Sequence, residues 1–511
     1  MLTTFTAPAF AKTWYIEDGD ITISASETKG TNKVSQGAEP EVEDTGTIIT
    51  NREKDASSHT VTINAGNDKV EVTLDNVNIK ADSGSALISK GDVTLTLKGD
   101  NHLTGGNGGS SSYGGDGITS SGSLTISGGT VTATGGDSTS SVGSGGSGIS
   151  SNGSLTITGG ENDSLTAKGG SGRSGIFSSG GVTISGGTVN ATGGSSGIDS
   201  GSLTVSGGTV TATGGDGCSG SYSDGGIGIS SSSGGVTISG GTVTATGGKS
   251  GSGDYSNGGN GISSSGSLSI SGGTVTATAG SSSGSYGRDG ITTSSSLTIS
   301  GGTVTANGGS GSYRGGSGIS SSDIELSGSL ELTAKAGSPN GKALSQNGIE
   351  LDPNTFKEKL DPGANIITKD ADGKVIDQVS SPRPVEPEGP VIPEESSSSS
   401  DGGSATPSAP ASPLPGLTVT DKDGQRISYT SIRGNNVLSL RVGRFTASLH
   451  ASLSTLRQLR AEGIDTITFQ TILCSTTLSV DELLAMGGED TEVVLTHHIR
   501  SSTLTVGGKA V

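Results

Sequence analysis

Five tyrosines occupy corresponding places in successive segments of the chain. Each stands five to seven residues before an isoleucine that opens a repeated block, and the five are Tyr113, Tyr222, Tyr255, Tyr286 and Tyr313. A phenol ring has a flat apolar face and a polar tip, and the C–H faces of sugars stack on such rings. If the segments stack in register, the five rings form one edge that suits an extended polysaccharide. The open alternative is that each ring folds back over its own loop.

Carboxylates recur in the same segments. Asp116, Asp224, Asp254 and Asp289 stand in glycine-rich stretches. Carboxylates and backbone carbonyls are the oxygen ligands that a hard cation such as Ca²⁺ takes, so these positions predict calcium as a cofactor. Because the spacing of the acidic residues differs from segment to segment, solvated turn-forming aspartates are the competing interpretation.

Catalytic chemistry has little support in the sequence. A polysaccharide lyase built on stacked strands would need clustered acids and an Arg or Lys base on one strand face. The outward strand positions are instead serine and threonine, with Asp199 and Lys168 isolated. We therefore expect no enzymatic activity. Rows of outward threonines could order water and bind ice, which is a further alternative with less support.

These residues sit on a long tandem repeat. The block at 123–136 returns with almost no change from Ser202, Gly235, Ser267 and Ser296. Its apolar residues alternate with period two and are broken by glycine pairs, which predicts short strands joined by corners. One such unit is too small to fold alone, so stability must accrue by stacking. We expect an all-β fold, a right-handed parallel β-helix in which loops of variable length project from one corner.

The composition changes along the chain predict four regions. Residues 1–11 end in a small-x-small sequence, Ala9-Phe10-Ala11, as the remnant of a signal peptide would. Residues 12–380 form the β-helix with capped ends; Ile349 and Leu351 predict a last rung, and Asp372-Gly373 predicts a closing hairpin. Residues 381–415 are a Pro/Ser/Glu-rich linker, and residues 416–511 a small α/β module.

Charge and hydropathy exclude several partners. The formal net charge is −19 and the basic residues form no cluster, which argues against nucleic acid. No stretch reaches 18 apolar residues, so we expect no membrane span. A Ser/Thr-rich surface with two cysteines suits an exported protein that is secreted and extracellular, in part associated with the cell surface. The oligomeric state stays open.

Residues 70–106, VEVTLDNVNIKADSGSALISKGDVTLTLKGDNHLTGG, resemble the bacterial carbohydrate-binding-domain-containing proteins. The shared features are the Leu-Asp-Asn-Val-x-Ile strand, the Ala-Leu-Ile rung and the Thr-Leu-x-Gly-x-Asn-x-Leu closure. This resemblance implies a secreted, pectate-lyase-like β-helix without lyase activity that binds calcium and plant cell-wall glycans such as cellulose or pectin. No acidic motif of that family can be matched to particular residues of this chain.

The sequence therefore predicts a secreted, non-catalytic protein that binds extracellular polysaccharide along an edge of loops. The alternative is a surface adhesin or structural spacer without a glycan ligand. The sequence favours lyase activity and ice binding less than either of these functions.

Overall fold

A computed structural model describes residues 11–381 except 110–111, 139–143 and 219–222, and residues 416–510 except 422–423, 428, 434–435, 443, 445, 472–473, 489–490 and 499–501. Tyr222 and residues 382–415 of the predicted linker therefore lie outside the described residues. The chain divides into two compact units between residues 388 and 389.

The first unit is a parallel β-helix with three faces, and each rung away from the two ends adds one strand segment to every face. Along face 1, Ile118 pairs with Ile149, which pairs with Ile176, and the ladder goes on in the same register. The predicted all-β fold with stacked rungs is thus confirmed, and its right-handed winding stays a prediction.

The strands on face 1 alone are Ile21–Ala25, Ile118–Ser120, Ile149–Ser151, Ile227–Ser231, Ile262–Ser264 and Leu344–Gln346. Those on face 2 alone are Thr13–Tyr15, Ile48–Thr50, Leu124–Ser127, Leu155–Thr158, Val236–Ile238 and Leu268–Ile270. Those on face 3 alone are Asn78–Lys80, Asp100–Thr104, Thr130–Thr134, Ser164–Lys168, Thr188–Gly193, Thr209–Gly214, Thr242–Thr246, Thr274–Thr278 and Asn365–Lys369. Longer strands bend through two or three faces: Val61–Asp75, Leu87–Lys98, Ile176–Ile184, Ser196–Val205, Ile291–Asn307 and Ile319–Lys335.

The period-two pattern decides which side chains enter the core. In one rung, Ile118, Leu124, Ile126, Val131 and Ala133 are each at most 2% exposed. Residues between them on the same strands point outward, as expected for pleated strands. Because every rung repeats the pattern, the inward residues stack into one continuous core along the unit.

A column of glycines closes the corner between face 3 and face 1. Its backbone hydrogen bonds run from Gly115 N to Gly106 O, from Gly136 N to Gly115 O and from Gly146 N to Gly136 O, each 2.8 Å long. Gly106 and Gly136 end one rung, whereas Gly115 and Gly146 begin the next, so the two segments interleave. A Cβ atom on Gly136 would lie 2.1 Å from the carbonyl oxygen of Gly106. Glycine occupies most positions of this column, but Arg288 takes the place of Gly115 in its own rung, and its carbonyl oxygen accepts from Gly309 N at 2.8 Å. The loops leave the helix between the paired segments.

Non-parallel elements close both ends of the β-helix. At the start, Asn32–Gln36 pairs antiparallel with Ile21–Ala25 and with Val42–Asp44. At the other end, a 3-10 helix, Pro353–Lys359, buries Phe356, and Val375–Ser380 pairs antiparallel with the last face 3 strand.

Two predictions were made for the C-terminal end of the β-helix, a closing hairpin and a last rung, and only the first is confirmed. The Asp372-Gly373 hairpin is confirmed by the antiparallel pairing of Val375–Ser380. The last rung at Ile349 is wrong: Asn347 and Gly348 have φ of 49° and 76°, so Ile349–Glu350 turns back antiparallel and leaves Ile349 71% exposed.

The described residues of the second unit form two sheets and two helices. The five-stranded sheet comprises Leu417–Thr420, Ala447–Ser452, Glu492–His497, Ser502–Val506 and Lys509–Ala510. The four-stranded sheet comprises Thr430–Arg433, Val437–Arg441, Thr466–Gln470 and Ser475–Ser479. The helices are Leu453–Ala461 and Val480–Leu484, and each begins after a serine whose hydroxyl accepts a backbone N–H three residues on.

Candidate functional site

The candidate tyrosines lie in the loops that leave the glycine corner, which we call the corner loops: residues 107–114, 249–258, 281–287 and 310–315. Backbone hydrogen bonds join the last three loops to each other. Gly258 N donates to Tyr286 O at 3.1 Å, and Gly287 N donates to Arg314 O at 2.9 Å. The rung-to-rung ladder therefore continues into the loops and fixes their relative positions.

Tyr286 and Tyr313 form the one tyrosine ring pair among the described residues. Their ring centroids are 5.6 Å apart with an interplanar angle of 69°, an edge-to-face arrangement. The backbone holds this pair, because Tyr313 N donates to Ser285 O at 3.0 Å. Tyr286 is 44% exposed and Tyr313 is 74% exposed, so the pair presents aromatic surface to solvent.

The remaining tyrosines are more widely spaced. Tyr255 stands in the loop one rung before Tyr286 and is 64% exposed. Tyr113 is 67% exposed, but its rung is five rungs from that of Tyr255, which is about 24 Å at the usual strand spacing. The structure thus joins Tyr286 to Tyr313, puts Tyr255 close by and leaves Tyr113 apart.

Two arginines beside the tyrosine pair were missed at the sequence level. Arg314 follows Tyr313 and is the register partner of Tyr286, and Arg288 stands two residues after Tyr286. Both arginines are exposed, and neither forms an ion pair with any residue of the described ranges. In a protein of net charge −19 they are two exposed cations on adjacent rungs, and both act electrostatically on the buried carboxyl of Asp289. The available signal was an arginine in or directly after a Gly/Ser-rich loop.

Two of the predicted calcium ligands have a structural partner instead. Asp116 Oδ1 accepts from Ser147 N at 2.6 Å, and Asp289 Oδ1 accepts from Ser317 N at 2.6 Å. Each bond runs to the next rung at the position two residues before the opening isoleucine. Burial raises the pKa of both carboxyl groups, which disfavours their ionised form.

The other two candidate ligands do not complete a cation site. Asp224 accepts from the backbone N of Asn257 at 2.7 Å and from its Nδ2 at 3.1 Å, while Asp254 is exposed. Within the described parts of the chain, no group of three or more His, Cys, Asp or Glu residues is arranged to hold a metal ion. Asp116, Asp224 and Asp289 thus take part in rung-to-rung hydrogen bonding, and no role is derived through a calcium ion.

The outward threonines of face 3 form regular columns. Thr209, Thr242, Thr274 and Thr303 follow one another in register, as do Thr211, Thr244, Thr276 and Thr305. Between Thr188 and Asn307 the outward positions of this face carry no charge. Threonine is also a favourable residue on any exposed strand, so the columns alone assign no ligand.

Comparison with known proteins supports the fold. A family described as β-helix repeat matches residues 124–153, 182–202, 203–229, 268–288 and 297–323. No curated protein and no solved structure matches the chain significantly. The repeat and the stacked strands together define a parallel β-helix protein. Among the described helices, none is long and apolar enough to cross a membrane.

Proposed function

We propose that the protein binds polysaccharide noncovalently through its corner loops, with Tyr286 and Tyr313 as the centre of the site. The β-helix repeat indicates a polysaccharide-related or adhesin-like protein. Of these two, the exposed edge-to-face pair of rings favours polysaccharide binding. An adhesin or spacer does not need aromatic surface held outward by a backbone ladder, whereas a sugar ring stacks on such surface.

The geometry supports an extended ligand rather than a small one. The ring pair spans adjacent rungs, and Tyr255 stands one rung further along the same edge. A glycan that follows the edge meets aromatic side chains in successive loops, so each contact adds to the others in one chain molecule. The affinity of each contact is small and the affinity of the whole edge is larger.

Arg288 and Arg314 favour an acidic glycan, such as pectin, over a neutral one such as cellulose. A guanidinium group donates charge-assisted hydrogen bonds to a carboxylate, and both groups here are exposed without an ion-pair partner in the described ranges. The site then combines ring stacking on Tyr286 and Tyr313 with recognition of uronate carboxylates. Binding is proposed to be non-catalytic, and the protein is proposed to be exported to the extracellular polysaccharide it binds.

A retention assay on insoluble polygalacturonate and on cellulose tests this function. The intact protein should be retained on polygalacturonate, and the Tyr286→Ala/Tyr313→Ala variant should lose retention at least tenfold. Tyr113→Ala is the matched control, because Tyr113 is an equally exposed loop tyrosine five rungs away from Tyr255. Lack of retention of the intact protein on both polymers would favour the adhesin or spacer function, and release of unsaturated sugar ends would reveal a lyase.

A further inference from the structure

Asp44 is a buried carboxylate that the proposed glycan site does not use. Its side chain is 1% exposed, and it lies in the N-terminal cap on strand Val42–Asp44. It accepts from Trp14 Nε1 at 2.7 Å through Oδ2, and from Lys12 N at 3.0 Å and Gly46 N at 3.3 Å through Oδ1. All three donors are neutral N–H groups.

A buried carboxylate is normally paired with a cation, because an uncompensated charge in the interior is costly. Asp44 forms no ion pair with any described residue. The nearby ammonium group of Lys12 is used elsewhere, since Nζ lies 3.7 Å from the centroid of the Trp14 ring. The carboxylate therefore lacks a cation, while the backbone nitrogen of Lys12 already touches it.

The predicted cleavage site and the start of the β-helix coincide at the backbone nitrogen of Lys12. The small-x-small sequence Ala9-Phe10-Ala11 predicts cleavage of the Ala11–Lys12 peptide bond. In the fold, Lys12 O accepts from Ile48 N at 3.4 Å, and the strand Thr13–Tyr15 pairs with Ile48–Thr50 from the next residue on. Of the described residues, Lys12 is the first whose backbone is bonded into the β-helix.

We propose that a peptidase cuts between Ala11 and Lys12 and that the new N-terminus forms an ion pair with Asp44. Water adds to the Ala11 carbonyl carbon as the C–N bond breaks, which leaves a carboxylate on Ala11 and an ammonium group on Lys12. The cut takes place on the unfolded chain. Folding then brings the ammonium nitrogen to the place of the Lys12 amide, and the pair locks the N-terminal cap over the first rung. Export is part of this proposal, whereas glycan binding is not.

Three forms of the full chain test the ion pair: one that starts at Lys12, one that starts at Ala11, and the Lys12 form acetylated on its α-amino group. The Lys12 form should have the highest Tm. An ion pair that raises the α-amino pKa by one unit should slow acylation of this amine at neutral pH about tenfold relative to the Ala11 form. Peptide mapping separates the α-amine from Lys12 Nζ.

The Asp44→Asn variant in each form completes the comparison. It keeps an acceptor for Trp14 and removes the charge, so it should lower the Tm of the Lys12 form more than that of the Ala11 form. Equal Tm values and equal acylation rates of the unsubstituted forms would overturn the proposal, and this comparison stands even if the variant does not fold. A mass spectrum of the exported protein should show Lys12 as its first residue, and a different processed N-terminus would also overturn it.

Discussion

Replacement of Gly280 by alanine tests the interleaved glycine corner most sharply. A Cβ atom there would lie 1.7 Å from Gly248 O, whereas real Cβ contacts essentially never fall below 3.0 Å. The backbone must therefore move by about 1.3 Å. The hydrogen bond from Gly280 N to Gly259 O, 2.8 Å in the native protein, would lengthen to roughly 4 Å and break.

We expect the added methyl group to lower the free energy of unfolding strongly. Overpacking costs about 1 to 3 kcal/mol, and a buried backbone group left unpaired adds about 1 to 3 kcal/mol. We expect Gly280→Ala to lower the free energy of unfolding of the β-helix by about 2 to 6 kcal/mol in urea unfolding followed by circular dichroism. The matched control is Gly160→Ala, where the nearest heavy atom to the new Cβ is Asp163 Oδ2 at 3.6 Å. Its effect should stay within about 0.5 kcal/mol. Equal midpoints for the two variants would refute the interleaved corner.

Three further predictions concern the buried ladder and the cores. Burial raises the pKa of Asp289, so the folded chain holds this proton more tightly than the unfolded chain and stability falls as pH rises above about 4. Asp289→Asn, which copies Asn260 one rung earlier, should reduce this fall in Tm measured from pH 4 to 8. Burial lowers the pKa of His497, so the unfolded chain binds this proton more readily and the second unit should lose stability below about pH 6.5. NMR signals of that unit in the full chain follow this loss, and unchanged signals down to pH 5 would contradict it. Ile238→Ala should lower the free energy of unfolding by about 2 to 5 kcal/mol because the Ile238 side chain is fully buried. Thr237→Ala, on the outward side of the same strand, should lower it by less than about 0.5 kcal/mol, and similar urea midpoints for the two variants would contradict the assigned faces.

The faces of the β-helix were predictable because two simple periods coincide. Alternation places Leu124 and Ile126 inward, and the tandem repeat brings Leu155 and Ile157 to the same positions one rung later. A period in sequence becomes a register in space when equal units stack. The strand positions needed no information beyond these two periods.

The corner loops were less predictable because their lengths differ. Tyr286 stands five residues before Ile291 and Tyr313 stands six before Ile319, so Tyr286 is in register with Arg314 rather than with Tyr313. The edge-to-face ring contact and the neighbouring arginines follow from this one-residue offset. The spacing of each tyrosine from the nearest isoleucine predicts the edge of the β-helix on which its ring lies. It does not predict which side chains of neighbouring loops touch along that edge.

The glycine column was hidden for a different reason. The sequence shows Gly-Gly pairs at both ends of most loops, for example around 107–114, 249–258 and 310–315, and such pairs usually indicate turns. The structure uses them as two extended segments that stack on one hydrogen-bonded line. The missing Cβ atoms, rather than turn conformations, explain why glycine predominates there.

Hydrogen exchange of the intact protein, measured with and without soluble polygalacturonate fragments, tests the central claim most directly. Glycan bound at the tyrosine pair should slow exchange in the loops at 281–287 and 310–315, with a smaller effect at 249–258 and none at 107–114. Protection confined to other surfaces, or no protection at fragment concentrations that saturate retention of the protein on the insoluble polymer, would contradict the assignment of the site.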